Sequence, residues 1–337
     1  EIDFSKKFMI GAATRFEYYS DFGSTLNYKL AARYQLSKKL NVRSSFSTGF
    51  RAPSLVQVYY NLTFTNFIGD KPSESLLVAN NSPIARRFGI ENLKEEKARN
   101  FSFGFAAKLS AAFTATIDAY YVAVKDRIIL SGNFDASSLD IGVDNVQFFA
   151  NGVDTRTTGL DLVLNWNKQL ESSALTINIS GNINYMSITE IKNKNLDEKT
   201  FFGERDRQFL LASAPKNKFN LGVHYQYKKL KTSLNLTRFS SVQLIDWQIT
   251  EDLSKFNNSE RERLEAATDV YAPKLTTDLH LNYQLNTFMN LQIGANNLFN
   301  IYPTKQYSYT DSGGLWDATQ MGTNGSFYYT KLNIKLQ

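Results

Sequence analysis

A two-residue rhythm runs along most of this chain, in segments longer than ordinary strands. Between Thr25 and Leu36, Leu26, Tyr28, Leu30, Ala32, Tyr34 and Leu36 alternate with Asn27, Lys29, Ala31, Arg33 and Gln35. In Leu275 to Leu285, Leu275, Thr277, Leu279, Leu281, Tyr283 and Leu285 alternate with Thr276, Asp278, His280, Asn282 and Gln284. Phe101 to Leu109, Leu175 to Tyr185 and Phe219 to Tyr227 show the same division. Successive side chains of a strand point to opposite faces. One face is therefore apolar and aromatic, and the other carries Asn, Ser, Thr, Lys and Arg. The pattern predicts an all-β fold, a transmembrane antiparallel β-barrel with lipid outside and water inside.

About twelve long strands are expected, near 7–19, 25–36, 40–50, 99–109, 113–130, 146–167, 173–189, 216–227, 231–243, 271–285, 288–299 and 326–336. Many exceed the usual globular length of about 5 to 6 residues. Short connections at Ser37-Lys38-Lys39, Ser110-Ala111-Ala112, Lys168 to Ser172, Lys228-Lys229-Leu230 and Asn286-Thr287 alternate with long ones at 51–98, 131–145, 190–215, 244–270 and 300–325. Asp21 to Ser24 is a short member of the second set. A meander of this kind gathers its long loops at one end, as outer-membrane barrels do. A soluble sandwich or propeller also alternates. Strand length, loop asymmetry and the narrow polar face argue against it, and no fixed-period repeat is present.

Composition narrows the function classes. The 337 residues contain no apolar run near the ~20 that a membrane helix needs. A spanning strand needs only about 9 to 11 residues, half of them facing away from lipid. The absence of Cys excludes a disulfide framework and thiolate metal sites. The net charge of +6 is spread out, and no RNP-like or Lys/Arg-block motif points to nucleic acid. No Gly-rich phosphate loop, nucleophile elbow or paired-His motif occurs. With two His in the chain, no catalytic residue, metal ligand set or cofactor is expected.

Three stretches go beyond barrel statistics. Gly49-Phe50-Arg51-Ala52-Pro53-Ser54-Leu55 ends the third strand, and Asn92-Leu93-Lys94-Glu95-Glu96-Lys97-Ala98-Arg99-Asn100 leads into the next. Gly294-Ala295-Asn296-Asn297-Leu298-Phe299-Asn300 closes the penultimate strand. In this order they resemble the strand-end signature, the Asn-Pro-x-Leu-Lys-Pro-Glu segment and the penultimate-strand motif of TonB-dependent outer-membrane receptors. Glu95 stands where that family usually has Pro, and the last strand ends in Leu336-Gln337 rather than an aromatic.

The resemblance implies a barrel of about 22 strands, closed by an N-terminal plug folded inside it. On that reading residues 1–337 are the C-terminal part of the barrel, and the N-terminal strands, the plug and the TonB box lie outside this chain. The chain starts at Glu1 with no secretory signal in view, which fits a processed or partial polypeptide. The implied setting is the outer membrane of a Gram-negative bacterium. The implied partners are TonB, the protein's own plug, outer-membrane lipid, and a scarce small-molecule or oligosaccharide ligand. Ferric siderophores, haem, cobalamin and glycans are the cargo classes, with a ferric complex favoured. The competing readings are a passive pore, a structural barrel, or a membrane enzyme, the last lacking a Ser/His/acid constellation.

Site candidates follow from position. Tyr302, Tyr307, Tyr309 and Trp316 in the last long loop, and Tyr59 and Tyr60 in the longest, could line a ligand pocket with flat amphipathic surfaces. Packing of the loops on themselves is the alternative. Arg51, Arg33, His224 and His280 fall on the polar face, as candidates to face the lumen, the plug or the ligand. For Arg51 the alternative is a wall ion pair that tethers a loop, and for Glu95 and Glu96 a charge cluster or loop clamp. Ser259 and Glu262 suggest a capped helix over 259–267. Glu204-Arg205-Asp206-Arg207 reads as a solvated ion-pair cluster. Loop 51–98, apolar for a loop, is expected to fold over or into the barrel mouth.

Overall fold

The computed structural model describes residues 2–20, 22–68, 71–192, 196–245, 268–306 and 315–335. Alternation of the kind described above leaves each segment amphipathic across its pleat, so each must pair with neighbours of the same polarity. The result is one antiparallel meander whose strands are β1 (Ile2–Ser5), β2 (Phe8–Tyr19), β3 (Gly23–Ser37), β4 (Leu40–Arg51), β5 (Glu96–Lys108), β6 (Phe113–Leu130), β7 (Asn145–Gln169), β8 (Ser173–Ile191), β9 (Asn217–Tyr227), β10 (Leu230–Phe239), β11 (Lys274–Gln284), β12 (Met289–Asn296) and β13 (Phe327–Ile334). Every segment expected from the sequence is a strand of this wall. β1 has only 4 residues and shows too little alternation to be read from sequence. The strand expected over 231–243 divides in two. The wall strand stops at Phe239, and Val242–Ile245 pairs with Thr268–Tyr271 in a separate hairpin.

Register carries face identity across the wall. One outward row runs Leu30, Phe46, Phe101, Tyr121, Thr158, Tyr185 from β3 to β8. Another runs Ile177, Val223, Leu234, Leu279, Ala295, Tyr328 from β8 to β13. A lumen row runs Asn178, Gly222, Asn235, Asp278. The outward face is apolar yet open: Leu26 is 62 % exposed, Leu30 52 %, Ile183 53 % and Leu275 52 %. A soluble protein rarely exposes so extensive an apolar surface. As a lipid-facing surface it matches its solvent. Among the described residues no helix is long and apolar enough to cross a membrane.

The buried core lies at the long-loop end rather than in the wall. β7 has 25 residues, far more than the about 9 to 11 of a membrane strand. Its first turns project beyond the wall, where Val146, Phe148 and Val153 are fully buried. Loop 52–95 folds on this projection. Its hairpin Leu62–Ile68 and Lys71–Val78 lays the second arm parallel to Asn145–Phe148. Val78, Ala85, Phe201 and Phe202 complete the cluster. A second cluster joins Ala212, Val242, Leu244 and Tyr271. The segment read as a solvated ion-pair cluster opens a helix, Glu204–Ala212, and holds an ion pair between Arg207 and the exposed Glu204 at 3.4 Å. Arg207 there pairs with Glu198 at 2.5 Å. Asp206 is half-buried: burial pushes its carboxyl up, against the Gly203 N–H that donates to it at 3.1 Å.

On the lumen face, the Arg43 guanidinium grips the Asp118 carboxylate with two hydrogen bonds, one of them Nε to Oδ1 at 2.9 Å. Arg43 is on β4 and Asp118 on β6, and Gly104 of β5 lies between them in register. A Cβ at Gly104 would collide with that carboxylate and lie 2.6 Å from the Ile117 carbonyl oxygen. The bridge therefore requires glycine. Gly104→Val is expected to destabilise the native protein by about 1–3 kcal/mol, as overpacking does. It should migrate as unfolded in unboiled SDS gels at a lower preheating temperature than wild type, with Gly104→Ala intermediate.

Candidate functional site

The first two sequence motifs meet at one point. Arg51, the last residue of β4, makes a bidentate pair with Glu96, the first residue of β5, with Nε to Oε2 at 2.8 Å. Glu96 also accepts the Ile128 backbone N–H at 2.8 Å, so one carboxylate joins three adjacent strands. Past Arg51 the chain turns at Pro53, and Ser54 caps the helix Leu55–Tyr59 through a capping box with Gln57. Arg51 thus ties a strand end to the strand that follows the longest loop. Glu95 pairs with Lys97 at 3.1 Å.

Two amides, one buried and one half-buried, hold the Asn92-Leu93-Lys94 stretch. Asn80, only 1 % exposed, donates to the carbonyls of Glu91 and Phe149 at 3.0 Å and accepts the Leu93 N–H at 3.0 Å. Asn151 accepts the Lys94 N–H at 2.8 Å and donates to the Lys94 and Asp126 carbonyls at 3.0 and 2.6 Å. Nearby, Lys192 bridges Asp126 at 2.7 Å and Asp154 at 2.6 Å. Burial opposes its charge, but the hydrogen bonds to both carboxylates prevail and hold the ammonium pKa up. Asn151, Asp126 and Lys192 line a cleft of about 130 Å³. Sequence reasoning did not single out Asn80, Asn151 or Lys192. Most of their partners lie tens of residues away, and by sequence Asn80 and Lys192 are ordinary polar loop residues and Asn151 an ordinary polar residue of an expected strand.

The aromatic candidates separate into two loops. Tyr302 and Trp316 stack face to face, with ring centroids 4.4 Å apart and planes 13° apart. Tyr59 and Tyr60 end the short helix after Pro53 and are exposed. Tyr307, Tyr309 and the helix expected over 259–267 lie outside the described residues. The third motif forms the base of the Tyr302 loop. Asn297 and Asn300 adopt left-handed backbone, with φ of 48° and 55°, a conformation Asn tolerates better than most residues. Asn297 takes the Ile301 N–H at 2.8 Å and donates to its carbonyl at 2.7 Å.

The lumen candidates spread along the wall. Arg33 stands opposite Arg43 and is exposed. His224 and His280 share a row, with Ser233 between them. His224 Nδ1 lies 2.7 Å from Ser233 Oγ, and His280 Nδ1 lies 2.9 Å from Tyr329 Oη. Both histidines line a cleft of about 330 Å³. Among the described residues no three His, Cys, Asp or Glu side chains converge as metal ligands.

The sequence matches the family described as TonB dependent receptor-like, beta-barrel, over residues 1–298. The chain belongs to the TonB-dependent receptor β-barrel family. No curated protein matches it at a significant level. Solved structures share the fold. The siderophore receptor PirA from Acinetobacter baumannii superposes with a TM-score of 0.61 at 15 % identity, over 98 % of this chain and 44 % of that one. A mutant of the ferric enterobactin receptor PfeA from Pseudomonas aeruginosa, in complex with enterobactin, gives 0.64 at 16 % identity, over 98 % and 44 %. The FrpB iron transporter from Neisseria meningitidis gives 0.56 at 14 %, over 98 % and 43 %. The chain thus spans less than half the length of these receptors.

In this receptor barrel, Asn80→Ala strands two carbonyls and an N–H in a buried setting. It is expected to cost about 2–4 kcal/mol locally. Hydrogen exchange should quicken in 79–95 and at Phe149 while the wall amides of β9 and β10 keep their protection.

Proposed function

We propose that this chain is the C-terminal part of the barrel of an energised outer-membrane receptor of a Gram-negative bacterium. The long-loop end faces outward to capture a scarce solute. A plug encoded upstream closes the lumen, and TonB, driven by the inner-membrane proton-motive force, remodels it to admit the cargo. The observation that carries this reading is the open apolar face, held in register from β2 to β13, with long loops at one end of the wall, in a chain of this family. The spans of the solved receptors that stay unmatched leave room for further strands and a plug. Among the described residues no ladder joins β1 to β13, and an unpaired strand edge in lipid leaves backbone groups unsatisfied. Additional strands would meet that need.

A ferric siderophore is the favoured cargo. The fold neighbours whose names state a role include siderophore receptors and an iron transporter. Tyr302 and Trp316 offer a stacked aromatic surface at the loop end, with Tyr59 and Tyr60 exposed on another loop. Arg33, Arg51, His224 and His280 would face the plug or the passing ligand. The passive-pore reading draws on the same polar lumen and differs in needing no energy.

Intact mass of the protein from outer membranes is expected to exceed this chain by enough for about ten more strands and a plug. Cells starved of iron should take up a labelled ferric siderophore, with ferric catecholate, ferric hydroxamate, haem and cobalamin as the panel. A protonophore should abolish that uptake. Uptake indifferent to the protonophore would favour the pore. In the same cells Trp316→Ala is expected to weaken binding of the cargo about tenfold or more.

A further inference from the structure

The ladder between β3 and β4 stops at Lys29 and Ser47, well short of the long-loop end of either strand. Beyond it, Ser24–Tyr28 stays with β2 while Thr48–Arg51 follows β5. The wall opens there into a cleft of about 760 Å³, within the roughly 300–1,000 Å³ of ligand clefts. Tyr28 and Phe46, with centroids 6.0 Å apart, bound it on the membrane side. Phe50, its ring 6.2 Å from that of Phe22 in the β2–β3 turn, lines the far end.

Charge on the outward face beside this cleft is mostly cationic, with Glu95 the one acidic side chain lining it. Phe46, Phe101 and Tyr121 form an aromatic row. One step outward, about 7 Å along the strands, the row is Thr48, Arg99, Ala123 and Arg156. A further step brings Phe50, Lys97 and Lys125. All four cations are exposed. Lys97 has Glu95 as partner at 3.1 Å; Arg99, Lys125 and Arg156 have no acidic partner among the described residues. The lumen-side arginines of the adjacent strand β4, Arg43 and Arg51, are each neutralised by a carboxylate. Uncompensated cations therefore sit just beyond an aromatic belt, on the face that meets lipid. Aromatic rings mark the membrane interface, and cations immediately past it lie at the depth of headgroup phosphates.

We propose that Lys97, Arg99, Lys125 and Arg156, with the β3–β4 cleft, form a binding site for a multiply phosphorylated lipid of the surrounding leaflet. Its phosphates engage the cations, and its acyl chains lie on Tyr28, Phe46, Phe101 and Tyr121. The proposal rests on the membrane orientation given above. Arg99 and Arg156, two strands apart at about 10 Å, suit two phosphates on one headgroup better than a single phosphate.

The test uses the full native protein in two vesicle types: phosphatidylcholine alone, and phosphatidylcholine with diphosphoryl lipid A. Flotation reports insertion in both. After detergent extraction and washing, native mass spectrometry reports retained lipid. The protein is expected to float with both vesicle types and to retain diphosphoryl lipid A. The combined variant K97Q, R99Q, K125Q and R156Q should float equally but retain at least about tenfold less. The lumen-face variant Lys29→Gln should retain as much as wild type. Equal retention by the quadruple variant, or equal retention of a dephosphorylated lipid A, would overturn the site and leave the membrane reading intact. Failure to float would overturn both.

Discussion

The unbroken backbone ladder is the constraint on which the rest of this structure depends. In hydrocarbon an unpaired N–H or C=O costs several kcal/mol. A spanning strand must therefore pair along its whole membrane length. Pairing in turn fixes faces, because a slip of one residue would send every Leu and Phe of a strand to the lumen and every Asn to the lipid. The outward row from Leu30 to Tyr185 shows no such slip. Register shifts occur instead near strand ends: between Asp3 and Ser5, between Gln35 and Ser37, and from Asn151 to Thr155 where β7 leaves the wall. A bulge there releases the chain from the pleat without exposing polar backbone to lipid.

Wall and loop cluster are held by different forces. The wall buries little of its outward side chains and relies on its ladder and on lumen bridges such as Arg43–Asp118. The long-loop end has ordinary globular cores, with Val146, Phe148 and Phe201 in one and Tyr271 in the other. Asn80, Asn151 and the Lys192 bridge satisfy the polar groups around the Asn92-Leu93-Lys94 stretch. The result is a mouth of folded elements whose exposed aromatics sit on fixed supports. A binding surface with that property loses less entropy when it captures a ligand.

How far the sequence revealed this depended on the range of the signal. Alternation is a local code, so the twelve long strands and the order of short and long connections could be read directly. Arg51 was visible as part of a motif, but its role required Glu96, brought back by a 45-residue excursion. The helix Glu204–Ala212 was hidden because its charged first turn looks solvated, whereas tertiary packing half-buries Asp206. Asn80 and Asn151 gave no signal, since their partners are backbone groups of distant segments. For Tyr302 and Trp316 both readings began open, and the structure stacks the two rings on each other.

The central claim is that parity along each strand decides lipid or water. Residues 1–337 contain no Cys, so single cysteines introduced among them meet no labelling background from this chain. The decisive measurement is labelling of single-Cys variants from Asn27→Cys to Gln35→Cys by a membrane-impermeant maleimide, with the native protein in its bilayer and osmotically opened cells giving access to both ends. The account predicts a period of two: Asn27, Lys29, Arg33 and Gln35 positions labelled, and Tyr28, Leu30 and Tyr34 positions protected until the bilayer is dissolved. Uniform labelling, or protection of the Asn27 and Lys29 positions with labelling at Leu30, would contradict it.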